Sequence, residues 1–397
     1  MTGQNVAISK VAEVNPRLHI NDKPKPQDTV SFVPMASVSE ETLSIEAPED
    51  RPYAEVAKGY TPFQRGDIIL AKITPCFENG KMAHATQLPH RQAFGSTEFH
   101  VIRPGKEVDG VYLFHLLRDP YIRRAGQMKM KGAAGQRRVP AEFFANLKIP
   151  LPPLAEQKRI AAILDAADAL RAKRRETLAQ LDTLLQSTFL DLFGDPVTNP
   201  KGWEVSSLDR VITVEHGFAF KSEYFSDHGD YIVLTPGSFY EDGGYRNQGS
   251  KTKYYAATPP EKYILPAGEL LVAMTEQAPG LLGSPIFVPE NDRFLHNQRL
   301  GRIRIGERLT AQFVYHLFNT PWVRGELQRT STGTKVKHTS PTKIGAVTSI
   351  VPPPGLQRHF ATIVESIERQ KTRLRAHLAE LDTLFASLQS RAFNGAL

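Results

Sequence analysis

Apolar positions change their spacing twice along this chain. From Val6 to about Ile149 they fall in short runs broken by glycine and proline, as in "GDIILAKI" (Gly66 to Ile73), "FHVIRPG" (Phe99 to Gly105) and "LKIPLPP" (Leu147 to Pro153). That punctuation predicts a mixed region in which strands predominate. Val111 to Arg124, "VYLFHLLRDPYIRR", predicts its clearest helix. After "LPPL" the pattern predicts one long helix from about Ala155 to Phe193, free of internal proline and glycine. Gly194, Asp195 and Pro196 stop it, as a left-handed glycine and a following proline do. A second strand-rich region runs from Trp203 to about Ile350, closes on "VPPP", and gives way to a second long helix from about Leu356 to Phe393.

The second half rewrites the first. "LAQLDTLLQSTFLDLFG" (Leu178 to Gly194) returns as "LAELDTLFASLQSRAFNG" (Leu378 to Gly395), and "GDIILAK" is echoed by "GELLVAM" (Gly268 to Met274). "SSLDRVITV" (Ser206 to Val214) stands where "VAISKVAEV" (Val6 to Val14) stood, and "FVYHLFNTPWVR" (Phe313 to Arg324) answers the helix at Val111. A period of about 200 residues is too long for a solenoid, so it implies a duplicated domain plus helix. The blocks are residues 1–150, 151–195, 196–350 and 351–397. Approximate two-fold symmetry within one polypeptide suits a symmetric partner such as a DNA duplex.

In the first long helix the positions of a heptad seam hold Ile160, Leu164, Ala167, Arg171, Arg174, Leu178, Leu181, Leu185, Thr188 and Leu192. The same register in the second holds Phe360, Val364, Ile367, Lys371, Leu374, Leu378, Leu381, Phe385, Leu388 and Ala392. Two such stripes predict an antiparallel intramolecular coiled coil, each helix of about 38 residues spanning roughly 57 Å. The overall class is α+β: two mixed, strand-rich domains separated by these two helices. Arg171, Arg174 and Lys371 interrupt the seam, either to set register or because their long stems reach out from a loose centre.

Composition narrows the chemistry. With 397 residues, 41% of them hydrophobic, the chain can build real cores, and a net charge of +7 favours a polyanionic partner. One cysteine, Cys76, excludes an internal disulfide framework and a multi-thiolate metal site. The N-terminus has no signal-peptide pattern and no 18-residue apolar run occurs, which predicts a cytoplasmic protein without membrane contact. No phosphate-binding loop, methyltransferase motif or metal-binding cluster is present, so neither catalytic nor metal-ligating residues are assigned. "EQK" (Glu156 to Lys158) reads as an acid favouring a helix start, and His115 and His316 as packing residues.

The basic, glycine-containing segments remain. "YIRRAGQMKMKGAAGQRR" carries Arg123, Arg124, Lys129, Lys131, Gln136, Arg137 and Arg138, and "RTSTGTKVKHTS" carries Lys335, Lys337 and His338. "YRNQGSKTKYY" adds Asn247, Gln248, Lys251 and Lys253, and "HNQRLGR" adds Asn297, Gln298 and Arg299. Lysine and arginine neutralise phosphates, while glutamine, asparagine and arginine can reach base edges. Those residue types in both copies predict a DNA-binding surface.

The segment "IPLPPLAEQKRIAAILDAADALRAKRRETLAQLDTLLQSTFLDLFGDP", with the repeated "LDTL" and "VPPPGLQRHFATIVESIERQKTRL", resembles the spacers of type I restriction–modification specificity subunits. The likeness extends over the whole chain in its order of domain and spacer; "PGLQRHF" departs from "LAEQKRI" by lacking its acid, at Leu356. The resemblance implies two target-recognition domains that read an asymmetric bipartite duplex site. It implies two adenine-N6 methyltransferase subunits on the spacers, with ATP-driven restriction subunits joining them. S-adenosylmethionine, ATP and Mg²⁺ would belong to those partners. The competing readings are a self-sufficient nuclease or methyltransferase and a coiled-coil scaffold that does not bind DNA.

Overall fold

A computed structural model describes residues 4–133, 135–277 and 279–397; Ala134, inside the Gly132 to Arg138 stretch, lies outside them. The chain forms two compact units, Met1–Thr177 with Leu374–Leu397, and Leu178–Arg373. Each unit therefore holds one strand-rich region together with half of each long helix.

The first unit contains a four-stranded antiparallel sheet in the order Ala12–Val14, Phe99–Pro104, Ile68–Ala71, Met82–His84. The second unit repeats it with Ile212–His216, Leu300–Ile305, Leu270–Ala273 and Pro285–Phe287. A further sheet in each unit contains one parallel pair, Thr29–Val33 with Gln92–Gly95 and Tyr231–Val233 with Phe294–Leu295. The "GD" and "GE" echoes mark equivalent turns: Gly66 and Gly268 take φ of +94° and +81°, which glycine adopts without a Cβ clash. The acid that follows, buried at Asp67 and half-buried at Glu269, is held by arginine. Asp67 accepts 2.8 Å bonds from Nε and Nη2 of Arg103, and Glu269 is gripped the same way by Arg302. A carboxylate can be taken from water there because a two-pronged partner replaces its solvation.

The helix expected over Val111 to Arg124 is two helices, Gly110–Leu117 and Pro120–Lys129. Pro120 has no N–H to donate and its ring would clash with the preceding turn, so it begins a helix rather than continuing one. The Asp119 carboxylate caps the restart at Tyr121 N, 2.8 Å. The second copy breaks likewise into Ala311–Phe318 and Pro321–Thr330, with Thr320 as the cap.

The long helices span Leu154–Phe193 and Pro354–Phe393. In the first unit Arg159 reaches the Leu397 carbonyl and Arg171 reaches Asp382, so numbers rise on one helix as they fall on the other. In the second unit Lys371 reaches Asp182 while Phe360 packs on Phe189 and Phe193, again antiparallel. Every seam position is buried or half-buried. Arg171 and Lys371 do not reach out from a loose centre. Arg171 Nε and Lys371 Nζ each lie 2.6 Å from an aspartate of the opposite helix, Asp382 and Asp182, the acids of the repeated Leu-Asp-Thr-Leu. Arg171 also covers the Phe385 ring, 4.5 Å from its centroid. The third basic seam residue, Arg174, keeps its Nε buried without a hydrogen-bond partner.

Each long helix is fastened to its strand-rich region by a fully buried glutamine. Gln157 donates to the carbonyls of Glu107 and Pro152 and accepts from Asp109 N; Gln357 donates to those of Arg308 and Pro352 and accepts from Thr310 N. Both amides are satisfied by backbone groups that secondary structure leaves open, at bonds of 2.7 to 3.0 Å.

Candidate nucleic-acid interface

The basic loops are held by one backbone arrangement that occurs in both units. In the first, Lys72 N donates to the Glu98 carbonyl (2.8 Å) and the Lys72 carbonyl accepts from Val139 N (2.9 Å). Ile73 then forms a β-bridge with Arg138, which in turn pairs with Lys131 across the loop. In the second, Met274 N donates to the Arg299 carbonyl (3.0 Å) and its carbonyl accepts from Thr339 N (2.9 Å). Thr275 pairs with His338, which pairs back with Thr332. Glycine closes each loop: a Cβ on Gly132 would stand 2.8 Å from the Gln136 carbonyl, and one on Gly333 2.0 Å from that of Val336.

On this shared backbone the side chains differ. Arg138 grips Glu98 through Nε and Nη2 at 2.9 and 2.8 Å, and Arg137 pairs with Glu78 at 3.0 Å. The Arg138 guanidinium holds the Glu98 carboxyl below its usual range. In the second unit His338 Nδ1 faces Thr275 Oγ1 at 3.4 Å, Lys337 donates to Gln328 Oε1 at 2.8 Å, and Arg299 and Lys335 are exposed. The structure thus brings the Asn297–Arg299 turn and the Lys337–His338 strand to either side of Met274, with Lys335 in the loop that leads into that strand. Asn297 shapes that turn by accepting from Arg299 N, and Gln298 N is tied to the Phe218 carbonyl while its side chain is exposed.

The remaining candidates stand elsewhere. Arg123, Arg124 and Lys129 lie on Pro120–Lys129, with Arg124 and Lys129 exposed and Arg123 half-buried over Gly80. Lys131 and Gln136 are exposed within the loop. Asn247 and Gln248 serve the fold: Asn247 accepts from Gly249 N, and Gln248 donates to Thr235 Oγ1 and Ser238 Oγ at 3.1 and 2.9 Å. Lys251 is exposed, and Lys253 sits 5.3 Å over the Phe225 ring. Among the described residues no hydrogen bond joins Asn247–Lys253 to the cluster at Met274.

Sequence reasoning missed the acids that hold these bases, Glu78 and Glu98, because their partners lie about 40 to 60 positions away. It also missed Arg324, which donates to the carbonyls of Phe318, Gly280, Leu282 and Glu241 and so ties that unit's loops together. Burial lowers the Arg324 pKa to about 10. His115 is buried with Nε2 2.7 Å from Asp165, and His316 packs against Phe189 and Phe360. Among the described residues no group of His, Cys, Asp or Glu could hold a metal ion, and no helix is long and apolar enough to cross a membrane.

Comparison with known proteins agrees with this architecture. The specificity subunit of the type I restriction enzyme EcoAI of Escherichia coli is 41% identical over 154 residues, 38% of this chain and 26% of that protein. The chain thus spans about a quarter of that relative's length in the match. The StySPI specificity subunit of Salmonella potsdam is 24% identical over 346 residues, 80% of this chain and 72% of its own. Among solved structures, the S subunit of a type I restriction–modification system from M. genitalium shares the fold with a TM-score of 0.54 at 14% identity, covering 99% of each chain. A chain from a study of complex assembly and conformational transition in the type I system gives 0.56 at 20% identity, covering 100% of this chain and 98% of its own. The model of the type I restriction modification DNA specificity domain matches residues 10–181 and again 200–381, and with both halves matched the chain belongs to that family.

Proposed function

We propose that this chain is the non-catalytic, DNA-reading subunit of a type I restriction–modification complex, each strand-rich region recognising one half of a bipartite duplex target. The observation that carries this reading is the repeated loop: one backbone arrangement presents Arg137, Arg138 and Lys131 in one unit and Lys335, Lys337, His338 and Arg299 in the other. A shared frame with unlike side chains is what two readers of unlike half-sites need. The target is accordingly asymmetric. The paired long helices offer a mount for two adenine-N6 methyltransferase subunits, with restriction subunits joining them. S-adenosylmethionine, ATP and Mg²⁺ enter with those partners.

Two measurements test this. Affinity for duplex DNA should fall steeply as salt rises, because phosphate contacts release counterions; salt-independent association would favour a scaffold without a DNA role. Co-expression with the cognate methyltransferase, followed by mapping of modified adenines, should yield a split motif with unlike halves. A continuous or palindromic motif would contradict two unlike readers, and methyl transfer or cleavage by the purified chain alone would favour an enzyme.

A further inference from the structure

The Arg138–Glu98 pair differs from the buried arginine–carboxylate pairs that follow the turn glycines Gly66 and Gly268. The acids Asp67 and Glu269 follow the equivalent turn glycines Gly66 and Gly268, and the bidentate arginine on each, Arg103 and Arg302, is largely buried with it, which marks these pairs as scaffold. The side chains of Arg138 and Glu98 remain 41% and 25% exposed. The pair also has no counterpart. The backbone position of Glu98, whose carbonyl receives Lys72 N, is occupied in the second unit by Arg299, whose carbonyl receives Met274 N. The position of Arg138, bridged to Ile73, is occupied by His338, paired with Thr275. Two groups that cannot form an ion pair of opposite charges have replaced one that does, on a frame that did not change.

Arg138 keeps donors that its protein partners do not take. A guanidinium carries five N–H groups. Glu98 takes those of Nε and Nη2, at 2.9 and 2.8 Å, and the Gln136 carbonyl takes one from Nη1 at 3.0 Å. Two are left, one on each terminal nitrogen. That fork matches the O6 and N7 acceptors of guanine in the major groove, and the carboxylate behind it fixes the plane of the guanidinium before DNA arrives. A loosely held phosphate contact needs no such support.

We propose that Arg138, oriented by Glu98, reads a guanine in the half-site of the first unit, and that His338 is the corresponding reading position of the second. This inference rests on the DNA-reading proposal above and specifies a residue within it. The test selects bound duplexes from a randomised library with the full chain in complex with its methyltransferase partners. The parent should prefer G·C at one base pair of one half-site. Arg138→Lys keeps the charge but not the fork, so it should lose about tenfold or more of that preference while every other position and the salt dependence of binding stay as in the parent. Glu98→Gln should relax the same base pair, and His338→Ala should affect only the other half-site. Uniformly weaker binding in Arg138→Ala with every preference intact would make Arg138 a phosphate contact and overturn the proposal, as would an unchanged motif in Arg138→Lys. A parent that binds without any sequence preference would instead overturn the DNA-reading proposal beneath it.

Discussion

His296 shows how the residues behind the interface are held. Its ring is 2% exposed, Nε2 lies 2.9 Å from the Leu300 carbonyl, and burial pushes its pKa from 6.5 down to about 4. A base that is neutral when folded binds fewer protons than the unfolded chain between those values. Its contribution to stability is therefore complete above about pH 6.5 and is lost as pH falls toward 4. The slope in that window approaches about 1.4 kcal/mol per pH unit. His316, also lowered to about 4 by burial, acts with the same sign. Urea unfolding between about pH 7 and pH 5 should show the second unit weakening, and His296→Gln should flatten the slope. An unchanged slope in that variant would show that the ring is already protonated when folded.

At the scale of elements, the ion pairs Arg171–Asp382 and Lys371–Asp182 help to fix how the long helices meet. Lys371 is 7% exposed at its side chain, whereas Asp182 is 56% exposed, so the lysine bears most of the desolvation. Replacing such a charge by an apolar side chain of similar length is often neutral or stabilising. Lys371→Met should therefore change stability by no more than about 1 kcal/mol, while Asp182→Asn should destabilise by roughly 0.5–1.5 kcal/mol because the buried lysine is left with Glu368 of its own helix, 2.7 Å away, in place of two carboxylates. A double-mutant cycle on the two, read by denaturant midpoints, should give a coupling of roughly 0.5 kcal/mol or more. Zero coupling would reduce the pair to coincidence. The heptad seam itself was legible because a long helix repeats its environment every seven residues, and the strands at Ile68 and Leu270 were legible as apolar runs. The aspartates of Leu-Asp-Thr-Leu were visible as a repeat but not as partners of Arg171 and Lys371. Their pairing depends on antiparallel packing between segments about 190 to 210 positions apart. Gln157 and Gln357 were hidden for the same reason: each is one residue of an exposed-looking helix start, and its burial comes from carbonyls nearly 50 residues earlier. Of the proposed interface, the basic loops could be read in the sequence as composition. The separation of Gln248 from the readers, and the acids behind Arg137 and Arg138, required the fold.

At the scale of the whole molecule, each strand-rich region begins and ends on one two-stranded ribbon. Gln4–Ala7 pairs antiparallel with Lys148–Leu151, and Glu204–Ser207 pairs with Thr348–Val351 in the same register, Glu204 opposite Val351. The chain thus enters and leaves each region at neighbouring points, next to the glutamine that fastens the long helix. Everything between those points can change without altering the backbone that leads into the helices, provided the ribbon and Gln357 are kept. Replacing residues 208–347, the part between the two ribbon strands, by the matching region of a family member should therefore exchange one half of the recognised sequence and leave the other half as it was. Cuts made inside the ribbon should fail to fold, because they strip four residue pairs from the only strands that close the region at that end among the described residues. The modified-adenine motif of the exchanged protein distinguishes the cases. If both halves of the motif changed together, recognition would have to be shared between the two regions, and two independent readers on a duplicated scaffold would be the wrong description.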